Sequence, residues 1–127
     1  MIFKFEILGQ PYSKANSRRK TRSGLIIKSK EALQYEHDFA LQCPFLDELI
    51  EGYIKVEAFV FYKSHRSDLD ISLILDGMQG RIYKNDNKVK EHILKSWVDK
   101  NNPRAYIKVS KSSIDKDFEI KLKEFFR

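Results

Sequence analysis

Apolar and polar residues alternate from Ile2 to Leu8, the period of a strand with one buried face. Gly9 and Pro11 end that pattern, and the stretch from Tyr12 to Ser23 is polar, basic and turn-rich, reading as a loop or arm. Leu25, Ile26 and Ile27 suit a short strand returning from it. Ser29 is placed to cap a helix, with Glu31 at the positive end of the helix dipole. Ala32, Tyr35, Phe39, Ala40 and Cys43 follow at helical spacing, and Pro44 stops the run. Residues 53–62 (YIKVEAFVFY) have the β-branched and aromatic content of a buried strand. After a turn at His65 to Ser67, the pattern predicts a helix over 69–78, begun by Ser67 or Asp68 and closed by Gly77 and Gly80. A polar turn at 83–87, a strand over 89–98, a loop at Asn102–Pro103 and an alternating strand at Ala105, Ile107 and Val109 complete the order. The charged tail from Ser112, with Ile114, Phe118, Ile120, Leu122, Phe125 and Phe126 spread along it, reads as a strand followed by a short helix. No repeat or linker divides the chain. The expectation is one α+β domain over residues 1–127, with a mixed β-sheet, two main helices and a basic arm or loop over 12–28.

Composition agrees with that reading. At 127 residues, 42% hydrophobic and 13% aromatic, the chain supports one packed core and is far too apolar to be disordered. Cys43 is the only cysteine, which excludes an intrachain disulfide and four-thiolate zinc sites and suits a reducing interior. The opening strand lacks the apolar run of a signal peptide or membrane span, so a cytoplasmic protein with no membrane contact is expected. The net charge of +6 favours polyanions, although on charge alone a merely soluble basic protein is as good a reading. Its distribution decides more. Seven basic residues and no acidic one lie between Lys14 and Lys30, whereas acidic residues recur from Asp68 to Asp86. A basic arm beside an acidic pocket suits a metal-dependent nucleic-acid enzyme.

Asp68-Leu69-Asp70 follows a strongly apolar strand, and Asp86 precedes another. Hard cations such as Mg²⁺ bind through one or two carboxylates and keep waters that carry or activate oxygens. Two Asp residues one apart can converge on a metal from a strand-to-helix junction, and a third at a neighbouring strand end completes the set. Taken singly, Asp68 is better explained as a helix cap, and Asp86 as a turn residue. Asp70 resists such an explanation because Leu69, Ile71, Leu73 and Ile74 around it all suit a core. Asp76, before Gly77, reads as a helix-end residue and an outer-shell candidate only. His37 and His92 have no partner at ligand spacing and read as structural or surface residues.

These residues resemble the RusA-type family of Holliday junction resolvases, mostly phage-encoded or prophage-derived endonucleases. Phe5 through Lys14 (FEILGQPYSK) is similar to the family's opening strand, glycine, proline and basic stretch. Asp68-Leu69-Asp70 looks like the first half of its Asp-Leu-Asp-Asn motif, and Leu75-Asp76-Gly77-Met78 is similar to the Leu-Asp-Ala-Leu that follows. Tyr83 through Val89 (YKNDNKV) resembles the segment bearing the third aspartate, and Pro103 with Tyr106 to Val109 the closing proline and strand. The resemblance implies that Asp68, Asp70 and Asp86 bind Mg²⁺, or Mn²⁺, and direct hydrolysis of a DNA phosphodiester. It further implies a homodimer whose two sites cut opposing strands of a four-way junction.

One departure matters. The family has Asn directly after the second Asp and a catalytic Lys beyond it; here those positions hold Ile71 and Ile74, in a segment about two residues short. Lys84, Lys88 and Lys95 lie nearby in sequence, and Lys84 and Lys88 are the candidates for a replacement. Lys14, Arg18, Arg19, Lys20 and Arg22 are expected to hold phosphates of branched DNA. Two rival readings remain: a branched-DNA-binding protein of the same fold that has lost catalysis, and a basic protein-interaction domain.

Overall fold

The computed structural model describes residues 2–12, 18–65, 71–114 and 117–127. Four strands form one mixed sheet in the order β1 (Ile2–Leu8), β6 (Arg104–Lys111), β4 (Ile54–Tyr62), β5 (Val89–Val98). β6 runs antiparallel to both β1 and β4, and β4 and β5 are parallel. A parallel pair needs a crossover, and α2 (Ile71–Met78) supplies it. This is the α+β single domain that the pattern predicts.

Alternation decides which face of the sheet is covered. Ile7 of β1, Ile54, Val56, Ala58, Val60 and Tyr62 of β4, and Ala105, Ile107 and Val109 of β6 all point to one side and are buried. There they meet α1 (Lys30–Gln42) through Tyr35 and Phe39, and α2 through Leu73, Ile74 and Met78. α1 begins as expected: the Ser29 hydroxyl accepts from the Ala32 amide at 3.1 Å. Its end is also as expected, with Cys43, just before Pro44, donating its amide to the Phe39 carbonyl.

The two helices approach closely at Gly77, where a Cβ would stand 2.6 Å from two ring carbons of Phe39. Phe39 cannot retreat freely, since it is 2% exposed and its ring meets those of Phe5 and Tyr35. The Gly in this chain's Leu-Asp-Gly-Met is therefore matched to a large ring on the facing helix.

Two segments differ from expectation in detail. The second half of the arm is not a loop but an antiparallel hairpin, β2 (Arg18–Lys20) paired with β3 (Ile26–Lys28). Its turn is closed by the Thr21 amide, which donates to the Leu25 carbonyl at 2.8 Å, and by Gly24 at φ +87°, a conformation that suits glycine. No apolar alternation marks β2, because backbone pairing rather than burial holds it. The tail forms α3 (Phe118–Phe125), a third helix, preceded by no strand of its own among the described residues. No α3 residue is buried, and Phe125 and Phe126 are largely exposed. No helix is long and apolar enough to cross a membrane among the described residues.

Candidate functional site

Asp76 lies in the last turn of α2, and Asp86 opens a single 3-10 turn, Asp86–Lys88, that leads directly into β5. The loop between them is held at several points. The buried Tyr83 donates its hydroxyl to the Leu75 carbonyl at 2.5 Å, and the Gly80 amide donates to the Tyr83 carbonyl at 2.7 Å. The Gln79 side chain accepts from the Asp86 amide at 3.1 Å, and Asn85 caps the turn by accepting from Asn87. Burial of the Tyr83 ring holds its phenol in the neutral, donating form by raising its pKa, with the charges of Asp86 and Asp76 adding to the shift.

That loop brings the two carboxyls together. Partial burial raises the Asp76 pKa above the ordinary carboxylate value, and the charge of Asp86 and a hydrogen bond between the two carboxyls raise it further. Each of these effects favours the protonated form of Asp76 over its carboxylate. Two residues from other elements complete the surroundings. Glu36 of α1 adds negative charge and Lys28 of β3 opposes it, the two joined by an ion pair of 2.6 Å.

Asp86 lies just before β5, as the pattern of the chain places it. Asp68 and Asp70 lie outside the described residues, immediately before α2. Asp76, expected only as an outer-shell residue, is the direct neighbour of Asp86. Its signal was present: Ser72 and Asp76 are four apart on the exposed side of a helix whose Leu73, Ile74 and Met78 are buried. Glu36 and Lys28 had no such signal, because their nearness to Asp76 comes from packing of distant segments. His37 and His92 are exposed, in line with surface roles. Among the described residues no three His, Cys, Asp or Glu side chains group as a metal site.

The lysines separate clearly. Lys84 and Lys88 line a cleft with residues 48–52, and Lys88 also lies over the Tyr53 ring at 5.9 Å. Lys95 is on the sheet face away from the helices, beside Phe59. Among the described lysines, Lys28 is the one whose charge acts on the Asp76 carboxyl. Ile74 is fully buried against the sheet, so a lysine there would lose its hydration without a partner.

The basic arm is placed in part. Arg18, Arg19 and Lys20 form β2 and are exposed, as is Arg22, whereas Lys14 lies outside the described residues. Across the hairpin Arg18 pairs with Lys28, so the basic strand is one step from the acidic pair.

No curated protein matches the chain. Residues 9–110 match the family model described as endodeoxyribonuclease RusA, a span running from the end of β1 to β6 that includes the hairpin and both carboxylates. The chain therefore belongs to the RusA family of Holliday junction-resolving endodeoxyribonucleases.

Proposed function

We propose that this protein is a metal-dependent endonuclease that cuts opposing strands of a four-way DNA junction as a homodimer in the cytoplasm. The observation that carries the reading is the Asp76–Asp86 carboxyl pair, set one strand away from an exposed basic hairpin. Two carboxyls held this close are relieved by a divalent cation, which supplies positive charge where they would otherwise repel. In this proposal Asp68, Asp70 and Asp86 would hold Mg²⁺ or Mn²⁺, and Asp76, beside Asp86, would add a carboxyl to the same site. When bound, such an ion lowers the pKa of a coordinated water and neutralises charge on the phosphate.

The remaining roles belong to the chain's own side chains. Lys14, Arg18, Arg19, Lys20 and Arg22 hold phosphates on either side of the cut. Lys28 takes the part of the family lysine, since its ammonium is tied to Glu36 and reaches the carboxylates, whereas Lys84 and Lys88 face another cleft. A polarised phosphate oxygen could exchange for Glu36 as the partner of Lys28 without the lysine moving far.

The test incubates purified protein with four-way junction, duplex and single-stranded DNA, with and without Mg²⁺. Paired nicks on the junction that require the metal are expected, and Asp70→Asn should abolish them while sparing junction binding. Binding without nicking under every metal condition would refute the enzyme reading in favour of a catalytically impaired junction binder. Salt-independent behaviour with no DNA affinity would refute both and leave a protein-interaction domain.

A further inference from the structure

Among the described residues, α1 and α2 cover one face of the sheet. The opposite face is open and partly apolar: Leu8, Phe59, Ile93, Tyr106 and Trp97 are exposed there, Trp97 at 63%. The Arg104 guanidinium lies over the Phe61 ring at 4.2 Å in the same layer. A shallow cavity of about 430 Å³ runs along this face, lined by Lys4, Glu6, Glu57, Phe59, Lys95 and Tyr106 among others. The exposed parts of these side chains, each offering 150–250 Å² when whole, sum to roughly 500 Å² of apolar surface. That reaches the upper range of patches an isolated monomer leaves uncovered. With the aliphatic stems of Lys4, Lys95 and Lys108 the face approaches the ~800 Å² per partner of a standard interface.

The charges on this face have an order that the strand registers make explicit. Read across the sheet from β1 to β5, the middle row is Glu6, Tyr106, Phe59, Lys95. The row on one side is Lys4, Lys108, Glu57, Ile93, and on the other Leu8, Arg104, Phe61, Trp97. The middle and third rows are complementary to their own reverse, and the first is so in its inner pair, with Lys4 falling opposite Ile93. Laid head to tail on a copy of itself, the middle row sets Glu6 against Lys95 at both ends and Tyr106 against Phe59 between them. The first sets Lys108 against Glu57, the pair that already bridges at 3.5 Å within one chain. The third sets Leu8 against Trp97 and Arg104 against Phe61, repeating the cation–π contact.

We infer that this open sheet face is the interface with a second copy of the chain, related by a twofold axis parallel to the strands between β6 and β4. The inference deepens the dimer reading above and rests on it. A twofold axis in the interface plane but perpendicular to the strands would place Glu6 on Glu6 and Lys95 on Lys95, which like-charge repulsion opposes. Sheets packed face to face stand about 10 Å apart and cross near −30°, so the middle row stays in register while the outer rows meet obliquely. The axis has a consequence for the site. Asp86 immediately precedes β5, whose Val89 pairs with the first residue of β4, so the acidic pair lies at the end of the sheet where both strands begin. A twofold parallel to the strands puts both acidic pairs at the same end of the dimer, open to one junction.

The experiment is sedimentation velocity over a micromolar concentration series, with the full chain and its variants. Wild type should be a dimer. Lys95→Glu and Glu6→Lys should each weaken it about tenfold or more, since two equivalent pairs become repulsive. The double variant should recover wild-type affinity, which a merely misfolded protein would not do. Phe59→Asp should give a monomer with an unchanged far-ultraviolet circular dichroism spectrum. A wild-type monomer at every concentration overturns this interface together with the dimer reading. A dimer indifferent to Lys95→Glu and Phe59→Asp overturns the interface alone. Loss of the dimer on Phe125→Asp, with the sheet variants neutral, likewise overturns it and assigns the contact to α3.

Discussion

Gly77→Ala should destabilise the protein, although Ala is the better helix former. Exchanging Gly for Ala inside a helix ordinarily gains about 1 kcal/mol. Here the new Cβ would sit 2.6 Å from two ring carbons of Phe39, roughly an ångström inside an ordinary carbon–carbon contact. Phe39 is enclosed by the rings of Phe5 at 6.4 Å and Tyr35 at 6.2 Å, so relief requires α2 to move away from α1. Overpacking of this kind costs about 1–3 kcal/mol, and the strong overlap with an enclosed ring puts this case at the upper end. The net expectation is a loss of about 1–2 kcal/mol, or a fall in Tm of about 4–8 °C for a domain of this size. Thermal and urea unfolding measure it. Phe39→Leu combined with Gly77→Ala should be more stable than the sum of the single changes predicts, because the smaller side chain vacates the clash. Since Asp76 is adjacent to Gly77, the single variant should also lose metal affinity, and the double variant should regain part of it. A rise in Tm for Gly77→Ala alone would refute the packing argument outright.

Three other outcomes are expected. Asp76 has a raised pKa in the folded state, so its protonated form is favoured there, and the metal-free protein should lose stability as pH rises from the unfolded carboxylate value through the raised one; Asp76→Asn should flatten that window in melts across acidic pH and abolish stabilisation by Mg²⁺. Tyr35→Phe should raise stability by about 1 kcal/mol in urea unfolding, because the buried Tyr35 hydroxyl has no hydrogen-bond partner among the described residues; a loss would reveal a partner for it. Arg18→Ala with Arg19→Ala should weaken junction binding and flatten its salt dependence by about 0.9 log units of slope for each phosphate no longer held, with Tm unchanged, as measured by fluorescence anisotropy over a salt series.

Local pattern alone determined most of the elements. Alternation marked β1 and the buried face of β6, Ser29 marked the start of α1, and Pro44 its end, since each of these signals acts within a few residues of chain. The position of Asp86 before β5 and the core role of Ile74 were legible for the same reason. Tertiary structure decided what depends on residues far apart in sequence. β2 has no hydrophobic period, and only its pairing with β3 makes it a strand. Gly77 falls in the last turn of α2, near its expected end, but only the ring of Phe39 on another helix explains why no larger residue suits that place. Asp76 is the helix-end residue that the pattern reads, but only the loop tied down by Tyr83 turns Asp86 back onto it, with Glu36 and Lys28 arriving from two further elements. A carboxylate's chemistry is set by what stands within a few ångströms of it, and that neighbourhood is a property of the fold rather than of spacing along the chain.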